Sequence, residues 1–239
     1  MKTLTKMGAE RKVGRLRRLV AGMAIGILAG FSVSVSAATV VFCLSVDFSS
    51  PDEGSACPCC PHGDWVTVTI SDNATGGVLL EIAANNLQNE ERVMDLFLNL
   101  SPALAAADLQ FANPVKVVGD YDLPQISLGN NAFKAAGDGY FDIWFRFSSS
   151  MPRSFKAGDL LRYEVTIGGG EFRAEDFNYW SHVVDEGAGP FLAAAHILST
   201  GEDAEQSAWI GAIPEPAPLA FWITGVLVLL ARHRRTDRA

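Results

Sequence analysis

No unbroken run of about 20 apolar residues, the length that crosses a bilayer as a helix, occurs in this chain of 239 residues. The apolar runs at 19–31 and 219–231 hold 13 residues each, about 20 Å as a helix against a hydrocarbon layer of roughly 30 Å. Basic residues are scarce in the middle of the chain. Between 19 and 231 there are 8 Lys or Arg against 25 Asp or Glu, a net charge of −17. That balance excludes a nucleic-acid partner, which needs clustered Lys and Arg for phosphate, and disfavours docking on an anionic membrane surface. Cysteine is limited to four residues and histidine to four. There is no Gly-x-Ser-x-Gly elbow, no spaced Asp/Asn loop closed by Glu, and no internal repeat.

The missing positive charge is found at the ends. Residues 1–18 carry seven Lys or Arg against Glu10, and Arg232, Arg234, Arg235 and Arg238 stand against Asp237. At the front, the basic stretch, the short apolar run and the small residues Val35-Ser36-Ala37 together predict a secretory signal peptide over 1–37. Cleavage is expected after Ala37, with Ala38 the second choice and an uncleaved anchor the alternative. Arg17-Arg18 lacks the polar residue that precedes a twin-arginine signal, so general secretion is expected.

Between the ends, period-2 alternation dominates and predicts an all-β body over 38–211, a β-sandwich of jelly-roll-like character. Val40, Phe42, Leu44, Val46 and Phe48 share one face of a first strand. Val66, Val68 and Ile70 share one face of another, which turns through "SDNATGG" into "VLLEIAA" as a hairpin. Phe141, Ile143, Phe145 and Phe147 alternate with Tyr140, Asp142, Trp144 and Arg146, and Leu161, Tyr163, Val165 and Ile167 alternate with polar neighbours. Helical signal is confined to short turns at "SPALAAADL" and "RAEDFNYW".

Chemistry-bearing residues are few. Cys57, Cys59, Cys60 and His62 are types that bind zinc or copper, but two prolines cramp the spacing and no metal or other cofactor is expected. In an oxidising compartment Cys43, Cys57, Cys59 and Cys60 would form disulfides, with three connectivities open. Ser181-His182, and His196 near Ser199, are the available nucleophile and base pairs. With no organising motif, His196 reads as a hydrogen-bonded strand histidine and no enzyme activity is expected. Asp120, Asp122, Asp72 and Asn73 offer oxygen to calcium but read as turn residues. Trp144, Tyr179 and Trp180 could present flat faces to sugar rings, with packing against the body as the alternative.

The last segment, 212–239, is the most specific. Pro214-Glu215-Pro216 holds an extended backbone, 219–231 is a marginal transmembrane helix, and Arg232, Arg234 and Arg235 stay cytoplasmic while the signal peptide sends the body outward. This arrangement resembles the PEP-CTERM sorting domain over 213–235, with Ile213 where the family usually shows Val and His233 interrupting the basic cluster. The body is also similar to ectodomains seen with this tail, at "GPFLAAAHILSTG" and "SAWIGAIPEP". The resemblance implies recognition by exosortase, a membrane processing enzyme of Gram-negative bacteria that make exopolysaccharide. Pro214, Glu215, Pro216 and Arg232, Arg234 and Arg235 would be the recognised residues. It further implies transient inner-membrane anchoring with the body periplasmic, then delivery to the envelope, surface or extracellular matrix. The function expected is structural or adhesive, associated with exopolysaccharide; the alternative is a carbohydrate-binding module using exposed aromatics.

Overall fold

The computed structural model describes residues 37–49, 64–74, 76–136, 139–183, 189–201 and 203–213. Among them the chain is all-β, with strands β1 (Thr39–Leu44), β2 (Val46–Asp47), β3 (Val66–Asp72), β4 (Val78–Ala84), β5 (Arg92–Leu98), β6 (Leu109–Val118), β7 (Gln125–Ala135), β8 (Gly139–Arg146), β9 (Phe155–Lys156), β10 (Leu160–Ile167), β11 (Ala193–Thr200) and β12 (Gln206–Ala212). The two short turns expected as helical are 3-10 turns at Ala106–Asp108 and Ala174–Phe177, and no α-helix is present among the described residues. All pairings are antiparallel. One sheet runs β1-β3-β4-β10-β6 and the other β2-β12-β11-β5-β8-β7, with β9 also paired to β5.

The inner faces of the two sheets share one core, as half-buried alternation requires. From the first sheet come Phe42, Leu44, Val66, Val68, Ile70, Leu80, Ile82, Leu161 and Val165; from the second come Val93, Leu96, Leu98, Ile143, Phe145, Ala195, Ile197 and Ile210. Outward positions of β3 and β10 are largely polar, while Val41 of β1 and Val115, Val117 and Val118 of β6 are exposed, and Arg162 sits directly opposite Glu81 in an ion pair of 2.6 Å. The β3–β4 hairpin closes as the turn chemistry predicts: Asn73 N–H donates to the Gly77 carbonyl (2.9 Å) and Gly77 N–H to Asn73 Oδ1 (3.1 Å). Glycine is required at 77 because a Cβ there would lie 2.5 Å from the Val165 carbonyl oxygen of β10.

Two runs of alternation do not stay on one face. Val46 and Phe48 leave the main core for a second apolar cluster with Phe97, Phe141, Phe191 and Ala194. The cause is a change of sheet at Ser45. β1 pairs with β3, whereas β2 pairs with β12, placing Asp47 opposite Ile210. Phe141 also joins this second cluster while Ile143 and Phe145 face the main core. Here the β7–β8 register shifts between Leu128 and Phe133, so five residues of β7 advance against two of β8.

At the centre of the main core Phe145 meets Phe111 edge-on, with ring centroids 5.4 Å apart, and Tyr163 lies 6.2 Å away. Burial pushes the Tyr163 phenol up from 10.0 to about 12. Tyr121, donating to the Leu160 carbonyl at 2.7 Å, is raised too, by burial first and then by the nearby Asp159 charge. A phenol that stays protonated when folded but ionises at its ordinary value when unfolded contributes fully below about pH 10, and its contribution is lost as pH rises toward 12. Urea midpoints measured across that window are expected to fall, and to fall less in Tyr163→Phe. A flat profile would contradict the buried phenols.

Among the described residues no helix is long and apolar enough to cross a membrane. The expected signal peptide up to Ser36 and the expected helix at 219–231 lie outside them. So do Cys57, Cys59, Cys60 and His62. Cys43 is half-buried on β1, opposite Thr67, on the outward face of the first sheet.

Candidate functional site

Tyr179 and Trp180 stand at one end of the second sheet because the 3-10 turn at Ala174–Phe177 is fixed beneath them. Ala174 N–H donates to Asp72 Oδ1 (2.7 Å), Arg173 N–H to Asp176 Oδ2 (2.9 Å), and Phe177 is fully buried. The chain then runs along the edge of β8, where Tyr140 and His182 exchange backbone hydrogen bonds of 2.9 Å each way. Gly139 permits this approach, since a Cβ there would lie 2.9 Å from the His182 carbonyl oxygen. Ser181 secures the far side, donating its N–H to the Phe191 carbonyl (2.9 Å) and accepting the Phe191 N–H on Oγ (3.1 Å). The two aromatic side chains are left 39% and 49% exposed.

They border a cleft of about 290 Å³, which is also lined by Asn130 and Asn131 from the irregular part of β7, by the buried Leu100 and by Pro102. Asp142 also lines it, only 5% exposed, and organises the wall. Its Oδ1 accepts the Asn131 N–H at 2.6 Å and its Oδ2 the Leu100 N–H at 2.8 Å. Asn130 bridges in the same way, accepting the Ala106 N–H (2.9 Å) and donating to the Leu104 carbonyl (2.9 Å). Planar aromatic faces, an amide and an imidazole therefore converge over a carboxylate whose oxygens retain acceptor capacity beyond the two amides.

Trp144, the third aromatic singled out in the sequence, does not share the cleft. Its Nε1–H donates to Asp95 Oδ1 at 2.8 Å, its ring lies parallel to Phe97 at 6.0 Å, and the Arg146 guanidinium sits 5.5 Å from its centroid. Asp95 Oδ2 faces His196 Nδ1 at 3.3 Å, and the imidazole stacks on Trp209 at 4.4 Å. This contact calls for the Nδ1 proton to face the carboxylate, which is the hydrogen-bonded strand histidine expected from sequence. The Ser199 hydroxyl instead accepts from the Arg92 guanidinium at 2.6 Å.

The acids considered for calcium have other partners. Arg153 binds Asp122 Oδ1 through Nε (2.9 Å) and Nη2 (2.7 Å), and Asp120 through Nη1 (3.0 Å). Asp72 ties the start of the first strand to the 3-10 turn, accepting the Ala38 N–H at 3.1 Å as well as that of Ala174. No cluster of three or more His, Cys, Asp or Glu suited to a metal occurs among the described residues. Sequence reasoning missed Asp142 and Asp95 as organising groups. Their signal was present, as acids inside apolar strands, "YFDIWF" and "RVMDLFL", where a charge is retained only if hydrogen-bonded. The sorting residues Pro214, Glu215, Pro216, Arg232, Arg234 and Arg235 lie outside the described residues.

No family model, no curated protein and no solved structure matches this chain.

Proposed function

We propose that this chain is an exported, non-enzymatic protein of the cell envelope or extracellular matrix. A C-terminal PEP-CTERM signal, processed by an exosortase, would route a jelly-roll-like β-sandwich with an adhesive role alongside exopolysaccharide. The observation that carries the reading is how close the motif lies to the last described strand. β12 ends at Ala212, Ile213 is 46% exposed, and the Pro-Glu-Pro motif follows at once. A processing enzyme at the membrane face needs an extended substrate free of the folded body, and two prolines separated by one residue keep the backbone extended with few amides to donate. The basic clusters at both ends favour one topology, with the body outside.

The intact mass of the exported protein tests this. The expected species lacks 1–37 and the segment beyond the Pro-Glu-Pro motif, the apolar run 219–231 and the Arg-rich end included. An exported species that retains Arg234 and Arg235 would contradict processing at the motif. A second reading, carbohydrate binding, is favoured by the exposed rings of Tyr179 and Trp180 over a polar cleft.

A further inference from the structure

The cleft beside Tyr179 and Trp180 has the chemistry of a site for one class of ligand, and this inference rests on the carbohydrate-binding reading and sharpens it. Trp180 is half exposed although the chain on either side is pinned by backbone hydrogen bonds, so the position from which its ring projects is fixed before any partner arrives. Such a ring suits a partner with an apolar face and polar edges. The edges would meet Asn131 and His182, both exposed and both lining the cleft, and the remaining acceptor capacity of Asp142.

A pyranose ring meets these demands, with its C–H face on an aromatic ring and its hydroxyls on an amide, an imidazole and a carboxylate. Charge narrows the class further. Asp142 is the only acid among the described residues lining the cleft, and 19–231 carries a net −17, so a uronate or phosphorylated sugar would be repelled on approach and at the floor. One carboxylate is also short of the pair that glycoside hydrolysis uses, which fits binding without cleavage.

We propose that the Tyr179–Trp180 cleft, with Asn131, His182 and Asp142, binds an uncharged saccharide and discriminates against hexuronate polymers. The full-length chain in detergent micelles is titrated calorimetrically with hexamers of a neutral hexose, of an N-acetylhexosamine and of a hexuronate. At least one uncharged hexamer is expected to bind, with the hexuronate weaker by about tenfold or more, equivalent to about 1.4 kcal/mol. Trp180→Ala is expected to lose about tenfold or more of that binding, and His182→Ala severalfold. Both positions are exposed, so neither change removes core packing. The proposal is overturned if no uncharged hexamer binds, if the hexuronate binds as tightly, or if Trp180→Ala binds like wild type. Failure here with a normally trimmed exported protein would remove the cleft and leave the routing intact.

Discussion

Asp142→Ala is expected to destabilise the folded body by roughly 2–4 kcal/mol: the buried Leu100 amide loses a charged acceptor worth about 1.5–3 kcal/mol, and the part-buried Asn131 amide, within reach of water, loses less. The amides are those of Leu100 and Asn131, at 2.8 and 2.6 Å, one at the end of β5 and one in the irregular part of β7. The carboxylate therefore joins three neighbouring strands where the regular ladder is interrupted. Against a typical total of about 5–15 kcal/mol the loss is large. It should appear as a lower urea midpoint with an unchanged slope. Asp142→Asn keeps one acceptor oxygen but turns a donor toward a donor, so it should recover only part of the difference. An unchanged midpoint in Asp142→Ala would mean that water satisfies both amides. The cleft wall would then owe its shape to other contacts.

The second sheet shows how far sequence periodicity carries. Where a strand stays in one sheet, as β3 and β10 do, inward residues are read correctly from alternation alone. The continuation from Leu44 to Val46 keeps the same period while the chain changes sheets, so sequence has no mark at Ser45 beyond a small polar residue. Phe141 fails for a related reason. The shift opposite it depends on how many residues of β7 are spent between Leu128 and Phe133, a property of the partner strand. The cleft was half legible. Tyr179 and Trp180 are adjacent and could be named together, whereas Asn131 and Asp142 reach the same place through tertiary pairing. Trp144 looked equivalent in sequence because nothing local reveals that Asp95, 49 residues earlier, takes its indole N–H.

The proposed routing signal has the opposite character, since all of its residues are contiguous in sequence. Glu215 is the only charged side chain between Glu205 and Arg232, and it is flanked by the two prolines. In the proposed topology its carboxylate is displayed at the outer membrane face, where an enzyme can read it. Replacing it with alanine leaves the apolar run 219–231 and its arginines untouched, so membrane insertion should survive while recognition fails. The expected effect is close to all-or-none.

The most direct test of the account is to fractionate cells producing the wild-type chain or Glu215→Ala and to size the protein in each fraction. The account predicts that wild type is trimmed and leaves the inner membrane, while Glu215→Ala accumulates there with its Arg-rich end still attached. A Glu215→Ala protein trimmed and released like wild type would contradict it, reducing Pro214-Glu215-Pro216 to a spacer.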